Sequence, residues 1–561
     1  MSTLIRNATV YDGSGAPPCA GLDVSIFEER IVNIGKNLLP SEHKITVDAD
    51  GLGLMPGIID SHTHYDAQVT WDPSLDPSPT HGVTTIIMGN CGFGIAPCRP
   101  SDRDLTMRNL TQVEGMDLDA LRAGIDWGFE NFPEYLDFIE ERGVLPNLAA
   151  FIGHSPLRTY VMGKAAVERN ATDAERGEMC RILENSMQAG AIGFATSTAP
   201  QHNGAGGVPM PSRLADDKEL EDLIMAMSKG GKGVFMLTKG DHTTIPFLDD
   251  LAGRSGRPFV VAALLHNPTD PDATFSDLRS IANARKAGRE LWGQVSCCPL
   301  TMDFTMRSAY PFESLQSWKP AMQGGGNSLK EVFSNEAFRN AVRSELAHTG
   351  GVRLFNGEWD KLAITQVVKK DNQCFEHNSI AKLAAEAGVD PLDWLLDFVI
   401  SEDLETVLTA ILLNSDEEAV SRIITDPNAS VALSDAGAHL TFFCDAGFGL
   451  HLMGHWARRK GVMSLERAVY ELTGKPADIY GIQKRGRIAP GYFADMVLFS
   501  PESVDRGIKR RCSDLPAGAT RLVTDAVGVS GVWVNGRRVV NAKGEVDINA
   551  RTGKVLRKFN G

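Results

Sequence analysis

The chain has 561 residues, 43% of them hydrophobic and 23% charged, enough for one large barrel plus an accessory domain and without the bias of a disordered or fibrous protein. Its formal net charge of -15 and pI near 5.4 argue against a nucleic-acid backbone or an anionic membrane as partner, because both repel it at long range. Nine scattered cysteines, no apolar run of the roughly 18–20 residues that span a bilayer, and a start without a basic, apolar leader predict a reduced, cytoplasmic protein.

Residues 1–56 read as short strands (4–10, 23–26, 30–34) separated by turns such as Asp12-Gly13-Ser14-Gly15. From 57 to 485, apolar runs alternate with helical stretches, the pattern of a parallel α/β fold. Eight such runs are found, at 57–60, 84–88, 148–152, 191–195, 234–237, 259–263, 291–295 and 431–434. Eight strands alternating with helices predict a (β/α)8 TIM barrel. Two stretches exceed a bare barrel, about 101–145 after the second run and about 301–349 after the seventh. Both leave the C-terminal end of a strand, where barrel active sites sit, so each is a candidate lid or homo-oligomer contact. Residues 486–561 return to strand patterning at 494–499 and 529–534, with Asn535-Gly536 as a hairpin turn. The two chain ends are expected to pair into one small β-sandwich.

The chemistry starts at His62-Thr63-His64, just past the first run. Residues two apart in an extended chain face the same way, so both imidazoles enter the barrel mouth and can share one metal ion. Two hydrogen-bonded structural histidines are the plain alternative. Cys91 closes the second run in Asn90-Cys91-Gly92, and Asp435 closes the eighth in Ser434-Asp435-Ala436-Gly437. Cys91 reads equally as a small buried hydrophobe, and Asp435 as a turn cap. Arg158 carries a planar fork suited to a carboxylate, or to a salt bridge. No serine lies in a nucleophile-elbow motif.

The segment from Met55-Pro56-Gly57 to His62-Thr63-His64 resembles the first-strand signature of the amidohydrolase superfamily. His81-Gly82-Val83-Thr84-Thr85, Gly89-Asn90-Cys91-Gly92, Gly153-His154, Ser434-Asp435-Ala436-Gly437-Ala438-His439 and Pro490-Gly491 are similar to its D-aminoacylase-like branch, the N-acyl-D-amino-acid deacylases. The resemblance covers nearly the whole chain. It implies hydrolysis of a small-molecule amide by water activated at one or two Zn²⁺ ions, with His62, His64, Cys91 and Asp435 as ligands and Asp435 as proton shuttle. It places His266 at the second metal position; His154 and His439 read as substrate contacts or as supports behind the site, and Arg158 as a candidate substrate contact through its fork. The fifth run departs from the branch, ending Leu237-Thr238-Lys239 without a histidine. An ammonium has no lone pair, so Lys239 is a ligand only if carboxylated; otherwise it receives a substrate carboxylate or leaves a one-ion site. A carboxylated Lys239 favours the alternative of a cyclic amide or imide hydrolase. A catalytically silent scaffold is the alternative outside enzymes, and joint retention of His62, His64, Cys91 and Asp435 argues against it.

Overall fold

The computed structural model describes residues 2–323, 327–348, 353–437 and 446–560. Its centre is a ring of eight parallel strands. These are β1 (Ile58–Asp60), β2 (Val83–Met88), β3 (Asn147–Gly153), β4 (Gly193–Ser197), β5 (Val234–Thr238), β6 (Phe259–Ala262), β7 (Leu291–Val295) and β8 (Ala429–Val431). They are hydrogen-bonded in sequence order. Seven of them coincide with or largely overlap the apolar runs, whereas the eighth, Ala429–Val431, meets the run 431–434 only at Val431. The strands are buried nearly throughout, because helices cover them outside and side chains fill the barrel inside; hence the runs read as continuous rather than alternating. The seam from β8 back to β1 is joined just beyond both strands by a parallel bridge between Thr63 and Ala436. The His64 N–H donates to Ala436 O at 2.8 Å and the Asp435 N–H to His62 O at 3.2 Å.

Local chemistry bounds the crossover helices. Helix Asp173–Ala189 starts on a capping box of Thr172 and Glu175 and stops at Gly190, whose φ is +116°.

Both chain ends enter one eight-stranded sheet. Gly53–Pro56 pairs antiparallel with Met496–Phe499, which pairs with Val529–Val534. The sheet rolls until Arg30 bridges Phe493, and encloses a core that includes Val24, Ile26, Leu54, Met496 and Trp533. The β domain is therefore a single rolled sheet. Asn535 and Gly536, both at positive φ, form the hairpin turn between Val529–Val534 and Arg537–Val540.

The excursion expected at about 301–349 runs on to Leu413. Strands Leu300–Phe304 and Leu362–Gln366 both pair antiparallel with Val407–Leu413. The last strand to be reached is the middle one, so no shorter segment completes this sheet. A separate core around Phe312, Trp318, Phe333, Leu395 and Leu408 makes the excursion a satellite unit. A two-stranded ribbon, Asp505–Cys512 with Arg521–Val527, reaches it from the C-terminal side; Lys509 donates to Thr301 Oγ1 at 2.6 Å. Among the described residues no helix is long and apolar enough to cross a membrane.

Candidate metal centre

The chain leaves β1 through Ser61 and delivers His62 and His64 to the barrel mouth. With Cys91, just past β2, they place one ligand atom each within 4.8 Å of one another, all three buried. His62 Nε2 lies 3.5 Å from Cys91 Sγ and 3.4 Å from Asp435 Oδ1, and His64 Nε2 lies 3.5 Å from the same carboxylate oxygen. Two imidazoles, a thiol and a carboxylate thus converge from β1, β2 and β8. The sequence expected these four together, and the fold brings them together.

Backbone geometry aims them. Cys91 holds φ at 55° and Asp435 at 48°, a left-handed region that disfavours side chains other than glycine and asparagine. Gly437, at φ +91°, allows the turn after Asp435: a Cβ there would stand 2.6 Å from the Tyr65 backbone nitrogen.

Two further side chains fix the imidazoles. Gln294, on β7, presents Oε1 to His62 Nδ1 at 2.6 Å, while its amide nitrogen faces Ser61 and Tyr480. An amide oxygen only accepts, so His62 carries its proton on Nδ1 and turns the Nε2 lone pair toward Cys91 and Asp435. Glu114, buried at the end of helix Arg103–Val113, stands 3.1 Å from His64 Nδ1, an ion-pair distance that draws a proton to that nitrogen. Thr238, the last residue of β5, donates to Cys91 Sγ at 3.1 Å. Burial alone pushes the Cys91 thiol up, but His62 and His64 in their imidazolium forms, donating toward the sulfur, bring its pKa down to about 6; with the rings neutral and their lone pairs turned inward, a bound cation would take over that role. Nitrogen, sulfur and carboxylate donors with oriented imidazoles are the set a borderline-soft ion such as Zn²⁺ takes, and the site fits that metal. None of Gln294, Glu114 and Thr238 was anticipated. Gln294 left a trace, as the polar residue in the otherwise apolar run Leu291-Trp292-Gly293-Gln294-Val295.

Other expected residues lie elsewhere. Lys239 does not share the direction of Thr238; its Nζ pairs with Asp277 at 2.5 Å in the cavity wall. His266 is not among the residues that line the cavity, although Leu265 and Asn267 are; its backbone is pinned to Asn414 and its ring is buried. Arg158 and His154, expected near substrate, are both fully buried. His154 bonds Thr196 at 2.7 Å and Glu219 at 2.8 Å, and Arg158 pairs with Glu219 as well as the carbonyls of Ala166 and Arg169. A guanidinium fully enclosed on an internal carboxylate is a structural tie, not a substrate receptor. His439 lies outside the described residues. Cys298 lines the cavity, and Cys297 Sγ, 4.0 Å from its neighbour's sulfur, donates to Phe448 O.

The cluster lies at the base of a cavity of about 790 Å³ that opens between the barrel mouth and the satellite unit. A parallel barrel bearing such a cluster on its C-terminal face defines the class, a metal-dependent barrel enzyme. The amidohydrolase family profile matches residues 46–286 and 355–540. The chain belongs to the amidohydrolase family. It is 28% identical to an N-acyl-D-aspartate deacylase of Alcaligenes xylosoxydans xylosoxydans, over 99% of this chain and 94% of that protein. It is 27% identical to a D-aminoacylase of the same organism, over 96% and 94%. Its fold superposes with a TM-score of 0.69 on the N-acyl-D-glutamate deacylase of Bordetella bronchiseptica, solved with zinc and a phosphonate mimic of the tetrahedral intermediate, at 24% identity and 99% coverage of both chains.

Proposed function

We propose that this protein is a zinc-dependent deacylase that hydrolyses the amide of an N-acyl D-amino acid, using one ion. The convergence of His62, His64, Cys91 and Asp435 at the base of the cavity carries this reading. The deacylase names of the relatives support the substrate class.

Those four side chains would hold a divalent cation, which would polarise the amide carbonyl and lower the pKa of a water it binds from about 15.7 to about 7. The protein's own contribution is orientation and proton movement. Gln294 and Glu114 lock the imidazoles, and the Cys91 thiolate adds negative charge. Asp435, at the foot of the cavity, takes the proton from the attacking water and delivers it to the leaving nitrogen. A one-ion site is supported by what lines the opposite side: β5 offers Thr238 there, and His266 is not among the residues that line the cavity. The cyclic-imide alternative relied on an anionic Lys239, and the ion pair with Asp277 weighs against it. The reading also divides the chain into a barrel of residues 57–485 and a β domain from 1–56 and 486–561.

The test is elemental analysis of the purified chain alongside amino-acid release from N-acyl D- and L-amino acids. One equivalent of zinc and a D-preference are expected. A zinc-loaded protein that releases no amino acid from any N-acyl substrate overturns the reading.

A further inference from the structure

The cavity is larger than a small acyl amino acid needs, and its two sides differ in chemistry. At about 790 Å³ it stands in the upper part of the range of roughly 300–1,000 Å³ for small-molecule sites. Its β5–β6 side carries Lys239, Asp241, Asp270 and Asp277 beside the apolar Ile245, Pro246 and Leu264. Its satellite side carries Leu300, Met302, Leu354 and Leu413. Leu300 and Leu413 pack on the satellite core and yet remain half-covered. Leu265 does the same on the barrel core, and all three face one cavity. Two cores thus meet at a wall of incompletely buried leucines, and contiguous uncovered apolar surface of this kind marks a ligand contact. Lys509, itself exposed, also lines that side and donates to Thr301.

We infer that the satellite side is an acyl pocket, and that the protein acts on N-acyl amino acids with a long, unbranched apolar acyl chain. This inference rests on the deacylase reading. The amide carbonyl of such a substrate must lie at the cluster, so its two halves extend to opposite sides. The amino-acid half carries an obligatory carboxylate, which a wall of leucines cannot solvate, so it lies on the polar, water-exposed side; the Lys239 ammonium there is already paired with Asp277 and does not by itself receive it. The acyl half then lies against Leu300, Met302, Leu354 and Leu413, where each buried methylene leaves water.

The experiment uses the zinc-loaded full chain and one D-amino acid acylated with chains from acetyl to dodecanoyl. kcat/KM is expected to rise about threefold to fourfold per added methylene until the cavity is filled. Calorimetry should show dodecanoate, the product, binding at least a hundredfold more tightly than acetate. Leu300→Ser and Leu413→Ser change half-covered positions and are expected to flatten the slope across the series. A flat or falling series overturns the inference, and so does a steep dependence on amino-acid side-chain length at constant acetyl. Either result leaves the deacylase reading standing, whereas absence of turnover on every amide defeats that reading instead. The unsubstituted protein alone decides the chain-length question if the variants do not fold.

Discussion

Cys91 and Asp435 hold left-handed backbone that costs an ordinary residue about 1–2 kcal/mol, and both end their segments at the metal cluster. Asparagine tolerates that conformation and matches aspartate in shape, so Asp435→Asn separates chemistry from folding. Its melting temperature is expected to stay within a few degrees of the parent, while kcat falls about 10²–10⁴-fold through loss of the proton carrier. Thermal melting and steady-state kinetics on the same preparation check both halves. Gln294→Leu frees the His62 ring to turn and to change tautomer. Zinc affinity is expected to drop about 10–100-fold, read by competition with a coloured chelator. His62, His64, Cys91 and Asp435 were legible in the sequence because each follows directly on a strand, and strand ends point into a barrel mouth. Glu114 and Gln294 were not, since they act through contacts across 50 residues or more of chain. Arg158 and His154 misled for the related reason that a motif reports position but not the direction of the side chain.

Elements were legible wherever burial on both faces left an unbroken apolar run, and this located seven barrel strands closely; the eighth, Ala429–Val431, is short and includes Ser430, and the expected run 431–434 overlaps it only at Val431. The satellite unit was underestimated because its sheet closes only through its last strand, Val407–Leu413. One contact ties that unit to the insertion after β2: Gln112, on helix Arg103–Val113, donates to Glu313 at 3.0 and 3.3 Å. Burial pushes the Glu313 carboxyl up to about 7 from an ordinary 4.5. The folded state therefore holds this proton more tightly than the unfolded chain does. The resulting stability is complete below pH 4.5 and is lost as pH rises toward 7, by at most about 3 kcal/mol. Glu313→Gln keeps a hydrogen-bonding partner for Gln112 and removes the titration. The variant is expected to be the more stable form at pH 8 and to lack the decline between pH 5 and 7. Urea unfolding across that range measures it; identical pH profiles for both proteins would rule the linkage out.

At the scale of the whole molecule, Asp495 joins the parts. Its carboxylate accepts from the Asn535 N–H at 2.7 Å and from Asn147 Nδ2 at 3.2 Å, and pairs with buried Arg485, while its carbonyl accepts from the Gly57 N–H. One residue of the C-terminal segment thereby holds the β domain, β3 and the entry to β1. Asp495→Ala strands the Arg485 charge and is expected to destabilise the protein by about 3–5 kcal/mol, measured by denaturant unfolding.

The bridge between Thr63 and Ala436 has a counterpart in the chemistry. His62 and His64 flank Thr63 on one side of the seam, and Asp435 precedes Ala436 on the other. An ion gripping all three is a clasp across the place where the ring of strands begins and ends. Stripping it should loosen the hoop itself, and the amides of His64 and Asp435 should then exchange with deuterium sooner than those deep in β4 and β5.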